Sequence, residues 1–575
     1  MTRCVLPVNL LHYSVRGWMH PRTLGLIVIG DEILNGKVEE NNSRIVCKAA
    51  SPLGLKLMKI TAIPDDVNVI AREVHEFMNR FDVVITSGGI GPTHDDVTFE
   101  GIAQALDEET YMHPELLHVI ETFFGFTSSE TTPNDPRLRL ARVPQSCELV
   151  YGIDCFTGRQ SFYPVVKVHN VYALPGVPNL FRTGFGMIKE HLRDTRVKFY
   201  TRSVYVTRNE TEIAGFLSAL ADKYSPDVSI GSYPAFHNSY YRVLVTLDSQ
   251  NEGVLEEAHK EALAHLGSDI IDYEPNPVRR SAECVYELAT KPTDLGRRVL
   301  EAIQTIENAL DQYTLDQIVI GFNGGKDCTA LLHLVHAVLQ KRSGLTNSDQ
   351  TDQGLSNRDQ QTVVSLPRLL YIRSRSVFPE LERFIRKTLQ LYRIMTPATF
   401  HSIQLDNQQN HTKLNAQTTF PNASEHSSGL IVLEGPIKSS LLRLNESFPQ
   451  VCAVFMGTRI TDPRAAHLTP MAMTDSDWPQ LMRVNPLLHW TYSDVWNFLR
   501  SLSIPYCSLY DVGYTSIGSM EDTHPNPSLR YVTDSGLTEY HPAYILSDFH
   551  LERSGRRKTD PMPCEAKPES SVNSL

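Results

Sequence analysis

The sequence has little with which to build a cross-linked or metal-stapled fold. Its nine cysteines stand at 4, 47, 147, 155, 284, 328, 452, 507 and 564, with no CxxC pair and no zinc-type spacing to histidine. That argues against a disulfide framework or a structural zinc site and for a reducing compartment. No apolar run approaches the roughly 18 residues that a membrane span needs. Basic residues are in deficit, 54 against 66 acidic ones, for a net charge of −12. Bulk charge therefore argues against binding a nucleic-acid backbone, and any anion site has to be a local one. What is present is ample core material: 41% of the 575 residues are hydrophobic and 21% charged. At ~100–200 residues per domain, three or four globular units are expected.

Acidic residues and lysine are also missing before Asp31, while Arg3, Arg16 and Arg22 are present. For residues 1–21 two readings stay open, a mitochondrial transit peptide and a short disordered leader, with Met19 as an alternative start. The expected location is cytoplasmic, with a mitochondrial form if the leader acts as a transit peptide. Compositional seams near 190–200 and 285–295 divide the rest. They predict an α/β domain over 22–195, a small α+β appendage over 196–284 and a linker over 285–296. A second α/β domain follows over 297–555, interrupted by polar inserts at 341–362 and 404–429, and residues 556–575 form a disordered tail.

Both large domains show short apolar runs closed by glycine and separated by helical spacing. Leu24–Ile29 and Asp82–Thr86 are strand candidates in the first, with helices over Asn42–Ser51 and Val67–Arg80. Ile318–Phe322, Leu369–Ile372 and Ala453–Met456 are strand candidates in the second. A helix opens after Gly325 with apolar positions 331, 334, 335, 338 and 339 on one face. Such patterns predict doubly wound parallel sheets covered on both sides by helices.

Two glycine–acid loops follow the first pair of strands, Gly30–Gly36 and Ser87–Thr98. Gly88, Gly89 and Gly91 let main-chain N–H groups approach an anion, and Asp31, Asp95 and Asp96 supply carboxylates for a cation held against a phosphate. The plainer alternative is that Asp95 or Asp96 caps the helix starting near Val97. In the last third, Asn323-Gly324-Gly325-Lys326-Asp327 joins strand to helix. It is not a Walker A loop, yet it has glycines, a helix N-terminus, a mobile lysine and a carboxylate for Mg²⁺. Arg459 and Asp462 follow another strand candidate and are expected at the same sheet edge, where Arg459 could clamp a phosphate. Trp490 and Trp496 read as core residues.

The stretches GDEILNGKVEENNS (30–43), VVITSGGIGPTHDDVT (83–98) and LPGVP (174–178) resemble the molybdopterin-binding domain family. The NGGKD turn, GTRITDP (457–463), RVNPLLHW (483–490) and ERSGR (552–556) resemble the eukaryotic FAD synthase family, whose catalytic domain is PAPS-reductase-like. The resemblance implies two such domains with a small α+β appendage, and transfer of AMP from ATP to FMN, giving FAD and pyrophosphate. It implies catalytic roles for Asn323, Lys326, Asp327, Arg459 and Asp462. ATP and FMN would be bound by Gly324, Gly325, Tyr514, Arg553 and Arg556, with Mg²⁺ at Asp327. For the N-terminal pocket (Asp31, Gly88, Gly89, Gly91, Asp95, Asp96) it implies hydrolysis of FAD or a related nucleotide, with a second divalent cation at Asp95 and Asp96. The alternative is another PAPS-reductase-like ATP pyrophosphatase whose N-terminal half is a non-catalytic binding or oligomerisation module. The partners implied are ATP, FMN and FAD, with no nucleic acid and no membrane span; a homo-oligomer and delivery of FAD to apo-flavoproteins are further expectations. Two positions depart from the family pattern: His489 stands in place of an aspartate, and Ile460 in place of a second arginine.

Overall fold

Short, fully apolar strands are stable only when both sheet faces are covered, and that requirement organises the chain. The computed structural model describes residues 20–128, 132, 135–154, 158–236, 238–344, 364–374, 376–394, 429–463 and 465–556. Residues 1–19, most of both polar inserts and the tail after Arg556 lie outside the described residues. Three large sheets and two two-stranded ones are present among them.

The first runs in the order Leu55–Ile63, Arg22–Ile29, Val83–Ser87, Val171–Leu174, Val165–Val168, Cys147–Val150. Its first four strands are parallel, and the last two turn antiparallel. Val83–Ser87 is buried at every position, and helices Asn42–Ala50, Val67–Arg80 and Pro178–Leu192 carry apolar faces against the sheet. The second sheet is antiparallel: Val228–Pro234, Val243–Ser249, Tyr200–Val206 and Ile270–Ile271. Helices Glu210–Tyr224 and Glu252–Leu266 cover one of its faces.

The third sheet runs Leu430–Glu434, Arg368–Arg373, Ile318–Gly321, Ala453–Phe455, Met482–Val484, Met471–Met473, and only the last strand is antiparallel. Helix Lys326–Arg342 differs from the one-faced helix expected. Every residue from Cys328 to Leu339 is buried, including His333 and His336. The reason is packing on all sides, by the sheet and by helices Ser281–Thr290, Asp294–Gln312 and Tyr492–Ser501. Residues 285–296, expected as a linker, end the first of these helices and begin the second, with Val285 and Leu288 in the core. Trp490 and Trp496 are core residues as expected. Among the described residues no helix is long and apolar enough to cross a membrane.

The order of the strands places the loops. In the first sheet the chain passes from Arg22–Ile29 to its neighbour on one side and then to Val83–Ser87 on the other. In the third it does the same around Ile318–Gly321, flanked by Arg368–Arg373 and Ala453–Phe455. Each is a topological switch point, where loops diverge and leave a crevice at the carboxyl ends of the strands.

Candidate active site

At the switch point of the third sheet, the loop after Ile318–Gly321 meets the loop after Ala453–Phe455. Gly324 takes a left-handed φ of 75°, and a Cβ there would crowd Leu381 and Ile385. Gly457 brings the second loop against the first turn of the helix, where a Cβ would sit 3.0 Å from the main chain at Asp327 and Cys328. Lys326, Asp327 and Arg459 are thereby brought together, as the strand-end placement predicted.

The cluster is dry. The side chains of Lys326 and Arg459 are only 3% and 2% exposed. The Lys326 ammonium donates to Asp327 Oδ2 at 2.9 Å and to Glu552 Oε1 at 2.6 Å, and lies 5.2 Å from the centre of the Tyr492 ring. Arg459 Nη2 donates to both Glu552 oxygens, at 2.6 and 2.8 Å. Its Nε lies 2.9 Å from Asp327 Oδ1, close enough for an ion pair but out of line for a hydrogen bond. Arg459 Nη1 is buried and has no hydrogen-bond partner among the described residues.

Burial opposes charge on Lys326 and Asp327, and their neighbours outweigh it. Asp327 and Glu552 carry the Lys326 pKa above that of an ordinary lysine in spite of burial. Against the same burial penalty, Lys326 and Arg459 hold the Asp327 carboxyl below the usual carboxylate range. Asp462, which accepts the Arg459 main-chain N–H at 2.9 Å, is shifted up by burial.

Several expected residues have other positions. Lys326, expected as a mobile charge, is fixed. Asn323 is exposed, and its Oδ1 accepts the Gly325 N–H at 3.0 Å and the Cys328 thiol at 3.0 Å, so it shapes the turn. The Lys326 N–H donates to Tyr510 Oη at 2.9 Å. Tyr514 packs edge-on against Phe378 beside the site. Arg553 is exposed, and Arg556 reaches Asp522 at 3.3 Å rather than the cluster. The member of ERSGR that enters the cluster is Glu552, which sequence reasoning missed. His489 is exposed and Ile460 is 41% exposed, so both departures from the family pattern lie outside the cluster. Because both Asp327 oxygens face buried cations, Asp327 fits a counterion and does not fit a ligand for a resident metal ion.

At the first switch point, Gly88 (φ 108°) and Gly89 (φ 64°) turn the chain out of the sheet. A Cβ on Gly88 would sit 2.1 Å from the Ile29 carbonyl oxygen. Asn42 is buried and donates to Ser87 Oγ at 3.0 Å and to the Gly176 carbonyl at 2.7 Å, tying three loops together. Asp65, also missed from sequence, accepts the Asp31 N–H at 2.8 Å. Its carboxyl is raised by burial and by the charges of Glu32, Asp31 and Asp95. Asp96 does not cap the following helix. Its Oδ2 accepts the Thr93 N–H and hydroxyl, closing the turn, and Gly91 packs against this carboxylate. Asp95 is exposed beside His94. No group of three or more metal-ligating side chains occurs among the described residues, and of the two carboxylates expected to hold a cation, Asp96 closes the turn while Asp95 stays exposed.

Comparison with known proteins covers all three units. Residues 25–194 match a probable molybdopterin binding domain, residues 198–275 the FAD synthase middle domain, and residues 317–525 a phosphoadenosine phosphosulfate reductase domain. The probable FAD synthase of Caenorhabditis briggsae is 33% identical over 93% of this chain and 96% of its own length; that of Caenorhabditis elegans is 32% identical over 93% and 97%. The structure of Candida glabrata FMN adenylyltransferase with ATP covers 49% of this chain and 98% of its own at 24% identity, with a TM-score of 0.35. With about one-third identity over 93% of its length and 96–97% of the length of these relatives, the chain belongs to the FAD synthase family.

Proposed function

We propose that the chain transfers the adenylyl group of ATP to FMN, giving FAD and pyrophosphate. The observation that carries this reading is the buried Lys326–Arg459 cation pair at a sheet switch point, in a chain of the FAD synthase family. An oxygen of the FMN phosphate forms a bond to the α-phosphorus of ATP, and the bond from that phosphorus to the bridging α–β oxygen breaks. The attacking oxygen is already anionic at neutral pH, so no strong general base is needed. The barrier lies in bringing two polyanions together in line, and fixed positive charge lowers it. Arg459 supplies it, with Nη1 free for a phosphate oxygen and Nη2 and Nε held by Glu552 and Asp327. Lys326 and Asp327 keep this guanidinium oriented. Mg²⁺ enters as the counterion of ATP, as part of the substrate. The purified chain given FMN, ATP and Mg²⁺ should form FAD and pyrophosphate in equal amounts, seen by chromatography; ATP cleavage without FAD would favour the other ATP-pyrophosphatase reading.

For the N-terminal pocket the reading is hydrolysis of FAD or a related nucleotide pyrophosphate. It is supported by the crowding of Asp31, Glu32, Asp65 and Asp95 at the glycine turn. Incubation with FAD and a panel of divalent cations tests it: FMN and AMP should appear, and intact FAD under every condition would remove it.

A further inference from the structure

Glu552 lies 93 residues from Arg459 and 226 from Lys326 in the chain, yet it bridges both. We infer that Glu552 occupies the seat of a substrate phosphate group, holding Lys326 and Arg459 aimed at that seat until the phosphate exchanges with it. The inference rests on the adenylyl-transfer reading above.

Three observations carry it. First, the contacts are those a phosphoryl group makes: one oxygen shared by a lysine and an arginine, the other on the same guanidinium nitrogen, at 2.6–2.8 Å. Second, the lysine is enclosed by its partners. Its ammonium is enclosed by Asp327, Glu552 and the Tyr492 ring, and its side chain is almost fully buried. An incoming anion that contacts both Lys326 and Arg459 Nη2 takes the place of Glu552. Arg459 Nη1, unpartnered on the same guanidinium, offers a further donor to that anion.

Third, exchange requires movement of one side chain and not of the segment that carries it. The main chain around Glu552 is fastened independently. Thr515 Oγ1 donates to the Glu552 carbonyl at 2.6 Å, Asn526 Nδ2 to the Leu551 carbonyl at 2.7 Å, and the His524 N–H to the Gly555 carbonyl at 2.8 Å. Asn526 is fully buried, and a Cβ on Gly555 would collide with the His524 carbonyl oxygen, so this strap is seated closely. The carboxylate sits at the end of a flexible stem on a fixed base.

The physical need for such a residue is clear. Two desolvated cations with Asp327 as their one shared counterion would leave a net buried charge, which is unfavourable in the free enzyme. With Glu552 in place they stay buried and oriented. A polyphosphate bound beside an unmoved Glu552 would meet its negative charge directly, so exchange relieves that repulsion. Glu552 is a positioning residue that also competes with substrate.

The test is the affinity of the full-length chain for inorganic pyrophosphate, measured by calorimetry for the wild type, E552Q and E552D. Gln keeps the shape without the charge; Asp keeps the charge but is too short to bridge both cations. Removing the competing anion should tighten pyrophosphate at least about tenfold in E552Q, lower the KM for ATP in parallel, and tighten pyrophosphate to a smaller extent in E552D. Unchanged or weaker binding in folded variants would overturn the inference, and so would failure of both variants to fold, which would make Glu552 purely structural. Wild-type FAD formation is measured on the same preparation. FAD formed by the wild type with no tightening in E552Q removes the exchange and leaves adenylyl transfer standing, whereas no FAD from the wild type removes the latter.

Discussion

Replacing Lys326 with methionine preserves the stem and removes the charge, leaving Asp327 and Glu552 to share Arg459. The screening that makes surface ion pairs weak does not apply here, because the Lys326 and Glu552 side chains are only 3% and 13% exposed. Breaking a buried pair while leaving its partner charged costs about 3–5 kcal/mol. Removing Glu552 as well, as K326M with E552Q, restores the balance between Asp327 and Arg459. The two changes should therefore not add: the double variant is expected to be more stable than the sum of the singles by about 2–3 kcal/mol. Urea unfolding followed by tryptophan fluorescence reads this unit directly, because Trp490 and Trp496 are both in its core. Strict additivity, or a K326M cost below about 1 kcal/mol, would refute the reasoning, since it would mean that the four groups do not share one desolvated cluster.

Two further predictions concern the scaffold. Burial holds the His333 and His336 imidazoles down to about 3 and about 4, so both are neutral in the folded chain. Their folded values lie below the unfolded one, so their contribution is complete above pH 6.5 and is lost as the unfolded chain takes up protons below it. At pH 5 the pair should lower stability by about 4 kcal/mol relative to pH 7, and a comparison of H333L/H336L with the wild type at both pH values isolates that loss; an equal pH dependence in the two proteins would contradict it. In the N-terminal unit, G88A forces a Cβ toward the Ile29 carbonyl at a left-handed φ and should cost about 1–3 kcal/mol, seen as a lower melting transition with FAD synthesis retained.

Much of the site was legible because it follows from where strands end. Lys326, Asp327 and Arg459 each stand just past a short apolar run, and parallel topology then gathers them. Glu552 was not legible: it lies in an irregular segment with no periodicity, beside two arginines that drew attention by charge. Arg553 faces solvent and its neighbour enters the core, a one-residue difference that only the packing of the 549–556 strap decides. The helix from Lys326 reads as one-faced in the sequence because His333 and His336 count as polar. Each is buried by giving a ring nitrogen a partner, Tyr392 Oη and Ser281 Oγ respectively. Asp65 was hidden by its neighbour Asp66, which caps helix Val67–Arg80 with bonds to Asn68 and Val69. The supposed linker reads as polar because only one face of each of its helices is buried.

The central claim is that one charge cluster at the switch point of the third sheet carries adenylyl transfer, separately from the N-terminal pocket. It is tested most directly by following FAD formation from FMN, ATP and Mg²⁺ with the full-length wild type and D327A. Asp327 holds Lys326 and Arg459 together, so D327A should abolish FAD formation while any hydrolysis of FAD by the N-terminal half continues at the wild-type rate. FAD synthesis retained in a folded D327A chain, or both activities falling together without unfolding, would contradict the account.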